Sequence, residues 1–232
     1  MKISIIMPVY NEEKTIGKII EEVQKAEMHP YEKEIIIVND ASKDSTLDIV
    51  KKYAIIYDNI KVISHEKNLG KGAGIRTALS HATGDLVIMQ DADMEYSPED
   101  IVKLIDFKRK IGCDVVYGSR AKNKLNKYSY FSYYWGNYLL NKITNILYRT
   151  KLTDIETCYK LIPADIFKSL RLKANDFSIE PEITAKLARK GYKIGEYPIS
   201  YYPRSLKEGK KIKWRDGLIA INTLIRLRFF KG

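Results

Sequence analysis

Cysteine and histidine are scarce in this chain, and long apolar runs are missing. Cys113 and Cys158 stand 45 residues apart with no CxxC, so neither a disulfide framework nor a zinc knuckle is indicated. His29, His65 and His81 share no ligand spacing. No apolar run approaches the ~18 residues that a membrane-spanning helix needs. The start, MKISIIMPVYNEE, lacks the basic opening, long apolar stretch and small-residue cleavage site of a signal peptide. The expectation is a cytoplasmic protein. The 232 residues are 45% hydrophobic and 30% charged, a composition that buries a sizeable core and is not that of a disordered chain.

Charge is unevenly placed. The chain carries +11 overall, yet residues 1–107 come to −6, residues 108–151 to +9 and residues 204–232 to +7. Two surfaces with different partners are expected: an acidic first half and basic later segments suited to phosphorylated molecules, anionic lipid or nucleic acid. A solvated basic face is the plain alternative.

In the first half, short apolar runs alternate with helical patterns. ISIIM at 3–7, EIIIV at 34–38, KVIS at 61–64, DLVIMQ at 85–90 and DVVYGS at 114–119 predict strands. The stretches 13–27, 45–57, 72–82 and 99–110 predict helices. Ser97-Pro98-Glu99-Asp100 reads as a capped start for the last of them. Strands separated by such helices imply right-handed crossovers and a parallel sheet covered on both faces, an α/β fold.

Ligands of such sheets sit beyond the carboxyl ends of the strands. Pro8-Val9-Tyr10-Asn11-Glu12, Asn39-Asp40-Ala41-Ser42 and Asp91-Ala92-Asp93-Met94-Glu95 follow three of them. Turn formation or helix capping is the alternative role for Asn11, Asp40 and Asp44. In an extended stretch Asp91 and Asp93 project to one side. Their hard oxygens suit Mg²⁺ or Mn²⁺, with positions left for substrate phosphates. An isolated D-x-D is also common in loops. Asn68-Leu69-Gly70-Lys71-Gly72-Ala73-Gly74 lacks both GxGxxG and Walker spacing, and reads as a helix start that needs close backbone packing rather than as a phosphate cradle.

PVYNE, VNDAS with an aspartate shortly after, NLGKGAG, DAD and GSR at 118–120, in that order, resemble family 2 glycosyltransferases, inverting nucleotide-sugar transferases of the GT-A fold. LTDIETCYK at 152–160, EPEITAKLARKGYKI at 180–194 and PRSLKEGKKIKWRDG at 203–217 resemble the polyprenyl-phosphate branch, which includes the dolichol-phosphate mannose synthases. The resemblance implies a mostly parallel central sheet with helices on both faces. It implies that Pro8, Tyr10 and Glu12 line the nucleotide pocket, with Val38 and Asp40 beside base and ribose. Asp91 and Asp93 would hold Mg²⁺ or Mn²⁺ on the diphosphate, Ala92 would touch the donor, and Glu95 would be a further ligand. Arg120 would meet the phosphates, and Arg204 with Lys210 (Lys211 in the other register) would close over the donor diphosphate or hold the acceptor phosphate.

The implied organisation is a catalytic domain over 1–203, with a nucleotide-sugar half to about 120 and an acceptor half over 121–203. A basic loop and amphipathic helix follow over 204–232. An anionic acceptor phosphate needs no strong general base. A sugar hydroxyl would need one, with Asp154, Glu156 or Glu180 as candidates and a structural ion pair as the alternative for the first two. Tyr128, Tyr130, Phe131, Tyr133, Tyr134, Trp135 and Tyr138 crowd into eleven residues behind Lys122, Lys124 and Lys127. Lys207, Lys210, Lys211, Lys213 and Arg215 precede a second apolar stripe. Both segments are expected to lie on an anionic membrane surface, unless a separate membrane-anchoring protein recruits the enzyme; core packing or a dimer contact is the alternative. Nucleic acid is not expected as a partner, because no recognised motif is present and the acidic step would go unexplained.

Overall fold

The computed structural model describes residues 1–126, 131–204 and 214–230. Strands β1 (Lys2–Val9), β2 (Glu32–Asn39), β3 (Ile60–Ser64), β4 (Leu86–Met89) and β5 (Val115–Ser119) alternate with helices α1 (Ile16–Lys25), α2 (Thr46–Ile56), α3 (Lys71–His81) and α4 (Glu99–Ile111). The apolar runs become strands because both of their faces are covered. Ile3, Ile5, Ile6, Met7, Ile35, Ile36, Ile37 and Val38 are fully buried. On α1, Ile16, Ile19, Ile20 and Val23 recur at helical spacing and are buried.

After β5 the chain continues through α5 (Phe131–Tyr148), β6 (Lys160–Pro163), α6 (Ala164–Ser169), α7 (Ile179–Arg189), β7 (Ile194–Pro198) and α8 (Trp214–Phe229). Among the described residues one seven-stranded sheet forms in the order β3-β2-β1-β4-β6-β5-β7. β1 pairs in parallel with β2 and β4, β2 with β3, and β5 with β7. Right-handed crossovers then set α1 and α2 on one face of the sheet and α3 on the other.

The expected parallel sheet needs one correction. β6 inserts between β4 and β5 and runs antiparallel to both. Four residues, LeuIle at their centre, were too short a run to be read as a strand; tertiary pairing makes them one.

The start of α4 also differs from the expected cap. No side chain caps the helix; the first turn closes through Asp100 N and Ile101 N donating to the carbonyls of Ser97 and Pro98. The Asp100 carboxylate instead accepts from Lys103 Nζ and from the backbone N–H of Ser200, each within 2.7 Å. It ties the C-terminal segment to the helix.

α8 packs on α5 and α7 through the buried residues Ala220, Leu224 and Leu227. Tyr148 Oη donates to Leu224 O at 2.7 Å and Arg189 to Leu227 O at 2.6 Å. The outer faces of α5 and α8 leave Trp135, Tyr138, Leu139, Ile146, Leu218, Ile219, Ile225 and Phe229 exposed. Among the described residues no helix is long and apolar enough to cross a membrane. Tyr128, Tyr130, Lys127, Lys207, Lys210, Lys211 and Lys213 lie outside the described residues.

Candidate active site

The carboxyl ends of β1 and β2 are laced together by short side chains. Asn11, at φ 50°, accepts from Lys43 N at 2.8 Å, and its own N–H donates to Ser42 at 3.0 Å. Glu12 N donates to Thr46 Oγ1 at 2.8 Å, and Asp44 accepts from Glu13 N and Thr46 N. Asn11 and Asp44 thus serve as turn formers, the structural alternative open for them from sequence. They shape the loop that carries Tyr10 and Glu12, just beyond Pro8 near the end of β1.

Asp40 is buried and works inward. Its Oδ1 lies 2.7 Å from His65 Nδ1 and accepts from Leu69 N at 2.8 Å, and its Oδ2 accepts from Gly70 N at 2.8 Å. His65 Nε2 in turn lies 2.9 Å from Thr77 Oγ1. His65 and Thr77 were not legible as partners, because only the fold brings β3 and α3 to the end of β2.

The glycine-rich segment is a seam, as its reading as a close-packed helix start required. Gly70 sits at φ +93°, and a Cβ on Gly70 or Gly72 would run into the carbonyl oxygens of Asn175 and Ala174. Gly72 N donates to Asn175 O at 2.8 Å, and Arg76 bonds the carbonyls of Lys173 and Ala174. The backbone N–H groups at the start of α3 are therefore taken by the chain itself.

The Asp91-Ala92-Asp93 step is a turn rather than an extended stretch, with Met94 at φ 63°. Its carboxylates are held by cations from two distant elements. Lys71 Nζ lies 2.9 Å and 3.0 Å from the two oxygens of Asp91. Arg204 NH2 lies 3.3 Å from Asp93 Oδ2, and the same guanidinium reaches both oxygens of Glu12 at 3.1 and 3.3 Å. Burial, and then the neighbouring charges of Asp91 and Glu95, push the Asp93 carboxyl up to about 7 against the pull of Arg204.

Glu95 also holds the returning segment of the chain. Its Oε2 accepts from Tyr201 Oη at 2.7 Å and its Oε1 from Arg204 N at 2.8 Å. The carboxylate anchors the returning segment 201–204 over the turn. Among the described residues no three His, Cys, Asp or Glu side chains converge as a ready metal cage. The residues present nevertheless fit a hard divalent cation. Asp91 and Asp93 offer hard oxygen donors in one turn, with the charge of Glu95 close by, and a divalent ion would offset the like charges gathered there.

Arg120 is clamped from behind. Its Nε and NH2 each donate at 2.7 Å to the two oxygens of Asp154, and its backbone N adds a third bond at 2.9 Å. The guanidinium carbon lies 5.1 Å and 6.0 Å from the ring centroids of Tyr201 and Tyr96. Burial would raise the Asp154 carboxyl, but the Arg120 charge holds it below the usual range. Asn137 adds a bond to Asp154 at 3.2 Å, and Asn141 brackets it through Thr153 O and Ile155 N. The ion-pair alternative is thus the arrangement found for Asp154. Glu156 differs. Burial pushes its carboxyl up to about 7, Lys160 opposing, and its Oε1 has no hydrogen-bond partner among the described residues.

The polar loop, the cation-held acidic turn and the clamped arginine all gather at the strand ends, where sheets of this kind bind ligands. Similarity to known proteins gives the class. The model of the family "Glycosyl transferase family 2" matches residues 4–171. A dolichyl-phosphate beta-glucosyltransferase of Trichomonas vaginalis is 30% identical, over 98% of this chain and 73% of its own. A dodecaprenyl-phosphate galacturonate synthase of Rhizobium johnstonii is 27% identical, over 88% of this chain and 60% of its own. The crystal structure of glucosyl-3-phosphoglycerate synthase from Mycobacterium tuberculosis, in complex with Mn²⁺, UDP and phosphoglyceric acid, superposes at a TM-score of 0.75 with 18% identity, over 100% of this chain and 80% of that one. The chain belongs to glycosyl transferase family 2, and it is a glycosyltransferase.

Proposed function

We propose that the protein transfers a hexose, with inversion, from a nucleotide sugar of the GDP-mannose or UDP-glucose type to a polyprenyl phosphate at the cytoplasmic face of a membrane. The observation that carries this reading is the match to a dolichyl-phosphate glucosyltransferase along 98% of the chain, joined to the acidic turn beneath Arg204 and Arg120.

In this reading Pro8, Tyr10, Glu12, Val38 and Asp40 border the nucleotide, Ala92 lies against the donor, and Asp91 and Asp93 hold Mg²⁺ or Mn²⁺. The ion supplies charge stabilisation for the departing nucleoside diphosphate. Arg204, whose guanidinium bridges Glu12 and Asp93, and Lys210 neutralise the same charge. Arg120, fixed by Asp154, presents a pre-aimed cation to a phosphate without having to be ordered at the moment of reaction. The acceptor phosphate is already an anion, so no proton has to be removed. The apolar outer faces of α5 and α8, with the basic residues around them, rest on the anionic bilayer surface that carries the acceptor.

A second reading, transfer to a glycan hydroxyl, is favoured by Glu156, whose carboxyl at about 7 suits a general base. One assay separates the two. Purified protein with Mg²⁺ or Mn²⁺ and labelled GDP-mannose or UDP-glucose is given a polyprenyl phosphate in detergent, or a glycan. Labelled lipid is expected. Donor turnover with product only on the glycan would overturn the lipid assignment.

A further inference from the structure

Lys71 holds a position that the packing of α3 does not account for. Its ammonium grips both oxygens of Asp91 and also lies 3.4 Å from Glu180 Oε1, on α7. The Phe177 ring centroid is 5.9 Å away. Burial favours the neutral amine, but the carboxylates around it raise the pKa well above the ordinary lysine value, so the charge is kept. Glu180 is buried; its Oε2 takes Lys160 Nζ, and its Oε1 has no hydrogen-bond donor among the described residues. Lys71 therefore stands between a carboxylate it already occupies and one with a lone pair to offer. A shift of roughly 0.6 Å brings it to charge-assisted hydrogen-bond distance of the second.

We propose that Lys71 is the resident counter-cation of Asp91, and that a divalent ion arriving at Asp91 displaces it onto Glu180. This rests on the reading that Asp91 and Asp93 hold the metal. A divalent ion and an ammonium in contact with one carboxylate repel each other, and Glu180 supplies a place to retreat to without crossing solvent. Metal affinity is then set by an exchange rather than by the two aspartates alone. The exchange also carries the metal's arrival to α7, since the 3.4 Å contact of Lys71 with Glu180 shortens as its contact with Asp91 is lost. Lys71 acts here as a positioning residue, through Asp91.

Mn²⁺ titration of the full chain without donor, followed by the loss of the free-ion paramagnetic resonance signal, tests this apart from turnover. Lys71→Met should bind Mn²⁺ roughly tenfold more tightly than wild type, because a competing cation is gone. Glu180→Gln should bind it roughly tenfold more weakly, because the displaced lysine has no charged acceptor. In the double variant the Glu180→Gln effect should vanish. Unchanged or weaker binding in a folded Lys71→Met protein overturns the exchange while leaving the metal site in place. If Lys71→Met fails to fold, Glu180→Gln decides: wild-type affinity there overturns the proposal. Wild-type protein that takes up no Mn²⁺ with or without UDP removes the two-aspartate reading, and the exchange with it. Asp93→Asn, expected to lose Mn²⁺, marks the difference between these outcomes.

Discussion

Glu34 shows how a single acid is held charged by its neighbours. Lys2 Nζ lies 2.7 Å from it, Ser4 Oγ and Thr83 N donate at 2.5 and 2.7 Å, and Thr83 Oγ1 at 2.8 Å. Burial raises its pKa, but these donors outweigh burial and take it from 4.5 down to about 2. A depressed acid contributes stability that is present above its unfolded pKa and lost as pH falls through the folded one. Glu34→Gln should therefore cost about 1–2 kcal/mol at neutral pH, and the gap to wild type should close between pH 4.5 and about 2. Denaturant melts across that window check it; a constant gap would refute the assignment. At the active site, Asp93→Asn should lower metal-dependent turnover about a hundredfold or more while leaving vesicle binding intact. Unchanged turnover would remove Asp93 from the metal site.

Elements differ in how much of them was written locally. The five strands of the first half were legible because ISIIM and EIIIV are buried on both faces, which leaves an unbroken apolar run. β6 was not, because KLIP opens with a lysine whose charge is answered by Glu180 far along the chain. The same holds for the site. Asp91 and Asp93 stand out in the sequence, but their partners Lys71 and Arg204 come from α3 and from the returning segment, so neither pairing nor the turn geometry could be read. The bonds of Glu95 to Tyr201 and to Arg204 N were unreadable for the same reason.

The glycines divide along similar lines. Gly72→Ala drives a methyl into the Ala174 carbonyl and should destabilise by about 1–3 kcal/mol. Gly136, in α5 with nothing within 4 Å of an added Cβ, should instead gain up to about 1 kcal/mol as alanine. Thermal melts of the pair, expected to move in opposite directions, test the seam.

At the scale of the whole molecule, α5 and α8 pack on each other and each leaves apolar side chains exposed. Ile146 is 77% exposed and Phe229 69%, so glutamate at both should leave the fold within about 0.5 kcal/mol of wild type. Binding to anionic vesicles should fall roughly tenfold or more. Vesicle co-sedimentation that matches wild type would move the contact elsewhere. The strand order has a consequence for how the protein is made. β4 and β5 are both complete before the strand that joins them exists: residues 160–163 leave the ribosome about seventy residues after β4, on the order of ten seconds at typical elongation rates. Through that interval a nascent chain carries β1 to β4 with an apolar edge and no partner for it, and that interval is when a chaperone would find the most to hold.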